Sequence, residues 1–210
     1  MDGHTIDAYR KIEQRLKKAL PGQRAQYRMA PVARPKEAVS ALVQHAGVLV
    51  LLYNKNGQLH TVLTRRAMYE GVHSGQISLP GGKSEADDKN LTDTALRETH
   101  EEIGIDPRDI RVIGELTPLY IPVSNHMVQP VIGSLTVQPH FIADSKEVDQ
   151  IYEIRLRDLL LPGCLIENDG ITENNRHIKA PYYKYNGLQI WGATAMILSE
   201  FLELYRQSLH

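Results

Sequence analysis

Glu98, Glu101 and Glu102 stand at i, i+3 and i+4 in the segment GKSEADDKNLTDTALRETHEEIGI, which runs from Gly82 to Ile105. On a helix this spacing stacks three carboxylates on adjoining turns, where like charges oppose one another by about 0.2–0.5 kcal/mol per pair. A divalent cation explains why they are kept together, because hard carboxylate oxygens are the donors such an ion takes. The same residues also fit a solvated acidic face, with Arg97 and Glu101 as an i,i+4 ion pair. Arg97 pairs either along the helix or back to a carboxylate in the preceding loop, and in the second case a fork-shaped cation fixes the geometry of a self-repelling cluster.

That loop shifts the balance towards a ligand. Gly81-Gly82 lets the backbone come close to a bound group, beside a helix start where phosphate oxygens or a metal fit. Lys83-Ser84 imitates the end of a phosphate-cradling P-loop, but that pattern requires glycine where the chain has Ile77. Asp87 and Asp88 add acid at a helix start, where the dipole tolerates it.

The elements that must position these groups follow from periodicity. Asn90 as N-cap with Asp93 as its partner, then Gly104 and Pro107 as stop signals, predict a helix from Leu91 to Ile103. Leu91, Ala95, Leu96, Thr99 and Ile103 form its packing stripe, and the three glutamates occupy the adjoining arc. Residues 5–20 carry Ile6, Tyr9, Ile12, Leu16 and Leu20 at helical steps and end at Pro21-Gly22. Residues 23–37 read as an extended connector. The run from Ala41 to Tyr53 predicts a buried strand, turning at residues 54–57 into a hairpin partner over Leu59–Thr64. Further strands are predicted at 76–79, 110–115, 127–137 and 150–154, a short helix at 156–161, and a C-terminal helix over 190–209. Strands interleaved with a few helices argue for an α/β fold with a mixed sheet covered by helices.

The 210 residues suit one domain with a substantial core. With 24 Lys and Arg against 25 Asp and Glu, nothing in the net charge suggests a nucleic acid or a membrane surface as principal partner, and neither is expected. Cys164 is the single cysteine, and the histidines lack the spacing of a structural zinc site. The N-terminus has no apolar targeting segment and no run is long enough to span a bilayer, so a cytoplasmic location is expected. Apolar stretches at both ends suit either the core or a homodimer partner.

Gly82, Asp88, Arg97-Glu98, Glu101-Glu102, Gly104 and Ile105 resemble the Nudix box. Two features depart from it: the first acid is Asp88, separated from Arg97 by eight residues rather than seven, and Thr99 stands where an aliphatic residue is usual. Both departures resemble the coenzyme A pyrophosphatase branch of that family. So do Leu63-Thr64-Arg65-Arg66, the run Gly75-Gln76-Ile77-Ser78-Leu79-Pro80-Gly81-Gly82, and Trp191-Gly192-Ala193-Thr194-Ala195. Leu79 replaces the branch's usual Phe, and its usual Arg near Gly71 is missing.

The resemblance implies a Nudix α/β/α sandwich over residues 38–210, with residues 1–37 as an N-terminal helix and connector packed on it. It implies Mg²⁺ or Mn²⁺ held by Glu98, Glu101 and Glu102, with the Gly81 carbonyl as a further ligand. Glu98 is the first choice of general base, and Glu147, in the loop Asp144-Ser145-Lys146-Glu147, is either a second candidate or an ordinary loop acid. The implied reaction is hydrolysis of the pyrophosphate bond of a nucleoside diphosphate derivative. Coenzyme A would give adenosine 3′,5′-bisphosphate and 4′-phosphopantetheine, with ADP-ribose or NADH as alternative substrates and a non-catalytic nucleotide sensor as an alternative role. Arg65, Arg66 and Lys83 are candidate phosphate cations beside Gly81 and Gly82. Tyr182, Tyr183, Tyr185 and Trp191 read as an aromatic wall or as core, and His73 and His100 as flanking or surface residues.

Overall fold

A computed structural model describes residues 3–34, 42–67, 75–167, 169–173 and 176–209. Strand β1 (Gln44–Lys55) is its axis. Leu49, Val50, Leu51, Leu52 and Tyr53 are all fully buried, which a strand achieves only when both faces of its sheet are covered. The period of two then sorts them. Leu49, Leu51 and Tyr53 join Val62, Ala95, Ile103 and Val131 in one core. Val50 and Leu52 join Leu63, Ile132, Leu198 and Phe201 in the other. The first core lies under helix α3 (Leu91–Ile103) and the second under helix α4 (Gly192–Ser208), giving the α/β/α layering.

Asn56 and Gly57, both at positive φ (53° and 73°), turn β1 back into β2 (Gln58–Arg66), as a two-residue hairpin requires. Short strands β3 (Ile77–Ser78) and β4 (Gly81–Lys83) precede α3, and β5 (Arg111–Glu115), β6 (Leu119–Ile121), β7 (His126–Ser134) and β8 (Val148–Arg155) follow it. The strand path is β3-β2-β1-β7-β5, with β4 on β1, β6 on β7 and β8 on β2. β7 runs parallel to β1 along Gln44–Leu52 and the other pairings are antiparallel, so the sheet is mixed. On its other edge β1 pairs with β4 near its start and with β2 at its tip. This divided edge is what brings the Gly81-Gly82 loop against the middle layer.

Several expected elements are corrected. The first helix, α1 (Gly3–Leu16), stops short of residue 20, and a second, α2 (Gly22–Tyr27), forms where an extended connector was expected. Its Ala25 and Gln26 are buried, so contact with α4 stabilises a helix too short to show a period. The predicted helix at 156–161 is a single 3-10 turn over Asp158–Leu160. The chain then forms β9 (Leu165–Ile166), the hairpin β10 (Ile171–Glu173) and β11 (Arg176–Ile178), and β12 (Tyr182–Tyr185) with β13 (Leu188–Trp191). The C-terminal helix therefore begins at Gly192 rather than at 190. No helix among the described residues is long and apolar enough to cross a membrane.

α2 is fastened by a buried carboxylate. Glu200 on α4 is fully buried. One oxygen accepts from the amides of Gly22 (3.0 Å) and Thr117 (3.3 Å) and from the Thr117 hydroxyl (2.7 Å), and the other accepts from Gln26 Nε2 (2.8 Å). Glu200→Ala strands these donors in the interior and is expected to lower stability by about 2–4 kcal/mol in urea unfolding at neutral pH. A loss within about 0.5 kcal/mol of zero, the range of ordinary surface substitutions, would show that this clasp does not hold α2.

Candidate active site

α3 lies directly on β1 because Gly47 has no side chain: a Cβ there would sit 2.2 Å from the Leu91 carbonyl and 2.8 Å from the Ala95 amide. The next layer is as tight, since a Cβ on Gly82 would fall 2.2 Å from Glu98 Oε2. The Gly81-Gly82 loop thus presses on the carboxylate of α3 that its own geometry leaves room for. Gly82→Ala is expected to push the Glu98 side chain aside and to cut turnover about 10–100-fold with the fold retained, as misplacement of a reacting group does. Steady-state kinetics beside a thermal melt checks this, and unchanged turnover would mean the contact has no part in the site.

α3 starts where Asn90 Oδ1 accepts from the Asp93 amide (2.9 Å) and stops at Gly104, φ 73°. Thr99 is buried with its hydroxyl bonded to the Ala95 carbonyl at 2.6 Å, so a polar residue sits on the packed face without an open hydrogen bond. The face differs from the expected stripe: Leu91 and Leu96 are only partly buried and Thr94 takes a buried place. Glu102 is buried with Thr94, Ala95, Thr99 and Ile103 instead of standing on a separate arc.

The Glu102 carboxylate meets the Gly81 amide and Arg66, and the segment before β8 docks on the same end of α3. Ile142 and Asp144 donate their amides to the Ile103 and Glu102 carbonyls (both 3.0 Å), taking up carbonyls that a helix end leaves open. Asp144 then closes a turn, with its side chain accepting from the Lys146 amide and its carbonyl from the amides of Glu147 and Val148. That turn delivers Glu147 to α3. Carboxylate oxygens of Glu98, Glu102 and Glu147 all come within 4.8 Å of one another. Asp144 in this role is legible only as an Asx-type turn in the sequence.

The charges are far from balanced. Burial pushes the Glu102 carboxyl up to about 8, against the opposing pull of Arg66 and the Gly81 amide, with Glu98 and Glu147 adding to the rise. Glu98 is also raised, again chiefly by burial, with Arg97 opposing. Three clustered carboxylates, one of them buried on two long contacts, form a donor set that fits a hard divalent ion, which would supply the charge the cluster lacks.

Glu101 stands apart from that trio. Its half-exposed side chain bonds Arg97 Nη1 at 2.9 Å. Arg97 also reaches Glu98 Oε1 (3.0 Å), the Lys83 carbonyl (3.0 Å) and both oxygens of Asp88 (3.0 and 3.1 Å). Asp88 further accepts from the Thr94 hydroxyl and the Glu85 amide, and these bonds, those from Arg97 first, hold its carboxyl well below the usual range. Arg97 and Asp88 therefore bind the loop to the helix, with both alternatives for Arg97 realised at once.

Neighbours in sequence part company at β2. Arg65 lies over the Tyr152 ring (5.8 Å) and bonds Asp149 and Gln150, on the α4 side. Arg66 faces α3, with Nη1 3.5 Å from Glu102 Oε1. Lys83 is exposed, and the ring of exposed His100 contacts the Ile105 carbonyl. His73 lies outside the described residues. Tyr183 packs into the α4 core, Tyr182 pairs across strands with Trp191, and Tyr185 lines a groove with His60 and Arg155. A cavity of about 550 Å³ lined by Gln58, Arg155, Leu160 and Leu209 adjoins that groove and includes none of the acidic trio. The register puts it at the opposite end of β2 and β8, where His60 pairs with Arg155 and Arg66 with Val148.

A family model described as the NUDIX domain matches residues 43–169. The chain is 33% identical over 139 residues to a Pectobacterium atrosepticum protein named "Uncharacterized Nudix hydrolase NudL", covering 66% of this chain and 71% of that one. It is 36% identical to the protein of that name from Yersinia pestis, over 65% of this chain and 68% of the other. Among solved structures, the Nudix hydrolase RenU from M. smegmatis is similar in fold, with a TM-score of 0.54 at 13% identity over 78% of this chain and 86% of that one.

Proposed function

The chain belongs to the Nudix family of hydrolases, and on that premise we propose that it hydrolyses the pyrophosphate bond of coenzyme A or a coenzyme A derivative. The products are adenosine 3′,5′-bisphosphate and 4′-phosphopantetheine. The observation that carries the chemistry is the trio Glu98, Glu102 and Glu147 beside Gly81-Gly82. The substrate rests on the resemblance of Leu63–Arg66, Gly75–Gly82 and Trp191–Ala195 to the coenzyme A branch.

In this reading Glu98, Glu102 and Glu147 hold Mg²⁺ or Mn²⁺, Glu101 is the rim carboxylate open to a further ion, and the Gly81 carbonyl is an additional donor. When bound, the ion neutralises diphosphate oxygens and makes a coordinated water more acidic. Glu98 accepts the proton of the attacking water, with Glu147 as the alternative base. The water oxygen forms a new bond to phosphorus, the bridging P–O bond breaks, and its electron pair leaves on the departing phosphate. Arg66 offers a guanidinium to phosphate oxygens, and Arg97 and Asp88 keep the glycine loop against α3.

The test is chromatographic identification of products after incubation with coenzyme A, ADP-ribose and NADH at fixed Mg²⁺. Adenosine 3′,5′-bisphosphate and 4′-phosphopantetheine are expected from coenzyme A. Cleavage of ADP-ribose alone would overturn the substrate and leave the reaction class standing, whereas binding of nucleotide without any cleavage would favour a sensor.

A further inference from the structure

Resting on this reading, we infer that the Arg66 guanidinium is a placeholder for the metal: it occupies the Glu102 carboxylate until an ion arrives, then passes to the substrate's phosphate. Glu102 is buried, yet among the described residues its charge is met by two long contacts, Arg66 Nη1 at 3.5 Å and the Gly81 amide at 3.3 Å. Arg97 is committed elsewhere, to Asp88, Glu98, Glu101 and the Lys83 carbonyl. Arg65 is turned to the other face of the sheet. Among the described residues, Arg66 is thus the cation the fold points at Glu102.

Backbone geometry supports the placement. Arg65 pairs with Gln150 but Arg66 pairs with Val148, so Asp149 is an extra residue in β8. Such a bulge re-aims the residues around it. Pairing resumes beyond it, where the Ala67 amide donates to the Glu147 carbonyl at 2.8 Å. The bulge therefore carries Arg66 and Glu147 side by side towards α3.

A guanidinium and a divalent ion repel each other at the same carboxylate. Arg66 is 29% exposed and sits at the end of a long side chain, so it can withdraw. A diphosphate gives it an anionic place to go, close to the ion it would otherwise oppose. Metal and substrate then bind with positive coupling that runs through Arg66.

The test is calorimetric titration of Mg²⁺ into the full chain at one fixed pH, with and without adenosine 5′-(α,β-methylene)diphosphate. The wild type is expected to bind Mg²⁺ at least about tenfold more tightly with the analogue present. Arg66→Gln is expected to bind Mg²⁺ alone about 5–10-fold more tightly than wild type and to gain less than about threefold from the analogue, whereas Arg66→Lys, which keeps the charge, stays within about threefold of wild type. Matched thermal melts establish that the variants are folded. If Arg66 merely props Glu102, Arg66→Gln binds Mg²⁺ no more tightly than wild type, and the inference is overturned. Mg²⁺ binding that Glu102→Gln does not weaken would overturn the metal reading as well, which separates the two failures.

Discussion

Glu102→Gln is expected to lower turnover by at least about 10³-fold and to abolish high-affinity metal binding while the protein stays folded, because a ligand of a catalytic ion stabilises the transition state by several kcal/mol. The amide has the shape of the carboxylate but lacks its charge. The fold should tolerate the change well. Burial raises the Glu102 carboxyl from the ordinary 4.5 to about 8, so the metal-free folded state binds more protons than the unfolded chain between those values. Wild-type stability without metal accordingly falls as pH rises through that window. The glutamine variant has no such slope and should be at least as stable as wild type near pH 8. Kinetics with urea unfolding of both proteins measures this, and a folded variant with near-normal turnover would rule out the assignment of Glu102.

The second large effect is on metal affinity. An ion and a proton compete for Glu102, so below about pH 8 the wild type is expected to lose affinity for Mn²⁺ by about tenfold per pH unit. Between pH 8 and pH 6 the loss is about 100-fold, with a plateau above pH 8. Glu98, raised in the same direction, steepens the fall at the acid end as part of a coupled pair. Electron paramagnetic resonance of free Mn²⁺ across this range provides the curve. An affinity independent of pH from 6 to 8 would mean that Glu102 is not among the ligands.

What the sequence disclosed follows from how strongly each element is marked. β1 is legible because five consecutive buried apolar residues have no other explanation once a turn follows at Asn56-Gly57. α3 is legible from its cap and its stop. The burial of Glu102 is not, because a helical period gives the phase of a face but not what will cover it, and the Gly81 amide and Arg66 that meet its carboxylate come from distant parts of the chain. α2 and strands β9 to β13 run two to six residues each, too short for a period to show. Ile190 and Trp191, the end of β13, read as the start of the C-terminal helix because Ile190, Ala193 and Ile197 fit helical spacing, and Gly192 at φ 62° marks the true break.

The arginines teach a different lesson. Arg65 and Arg66 are consecutive on a strand, so the alternation of a strand already assigns them opposite faces. Which face meets the acids depends on the layer that holds α3, and only the assembled fold supplies that. The wait for tertiary structure is the same for Glu147, whose place beside Glu98 and Glu102 depends on a turn anchored to the end of α3.

The central claim is that Glu98, Glu102 and Glu147 jointly hold a divalent ion for diphosphate hydrolysis. Anomalous scattering from a crystal soaked in Mn²⁺ and a non-hydrolysable nucleotide diphosphate tests it most directly. The expected result is a manganese peak between those three side chains, next to the Gly81-Gly82 loop, and no peak at that position in Glu102→Gln. Saturating Mn²⁺ with no peak there in the wild type, or a peak that the substitution leaves untouched, would contradict it.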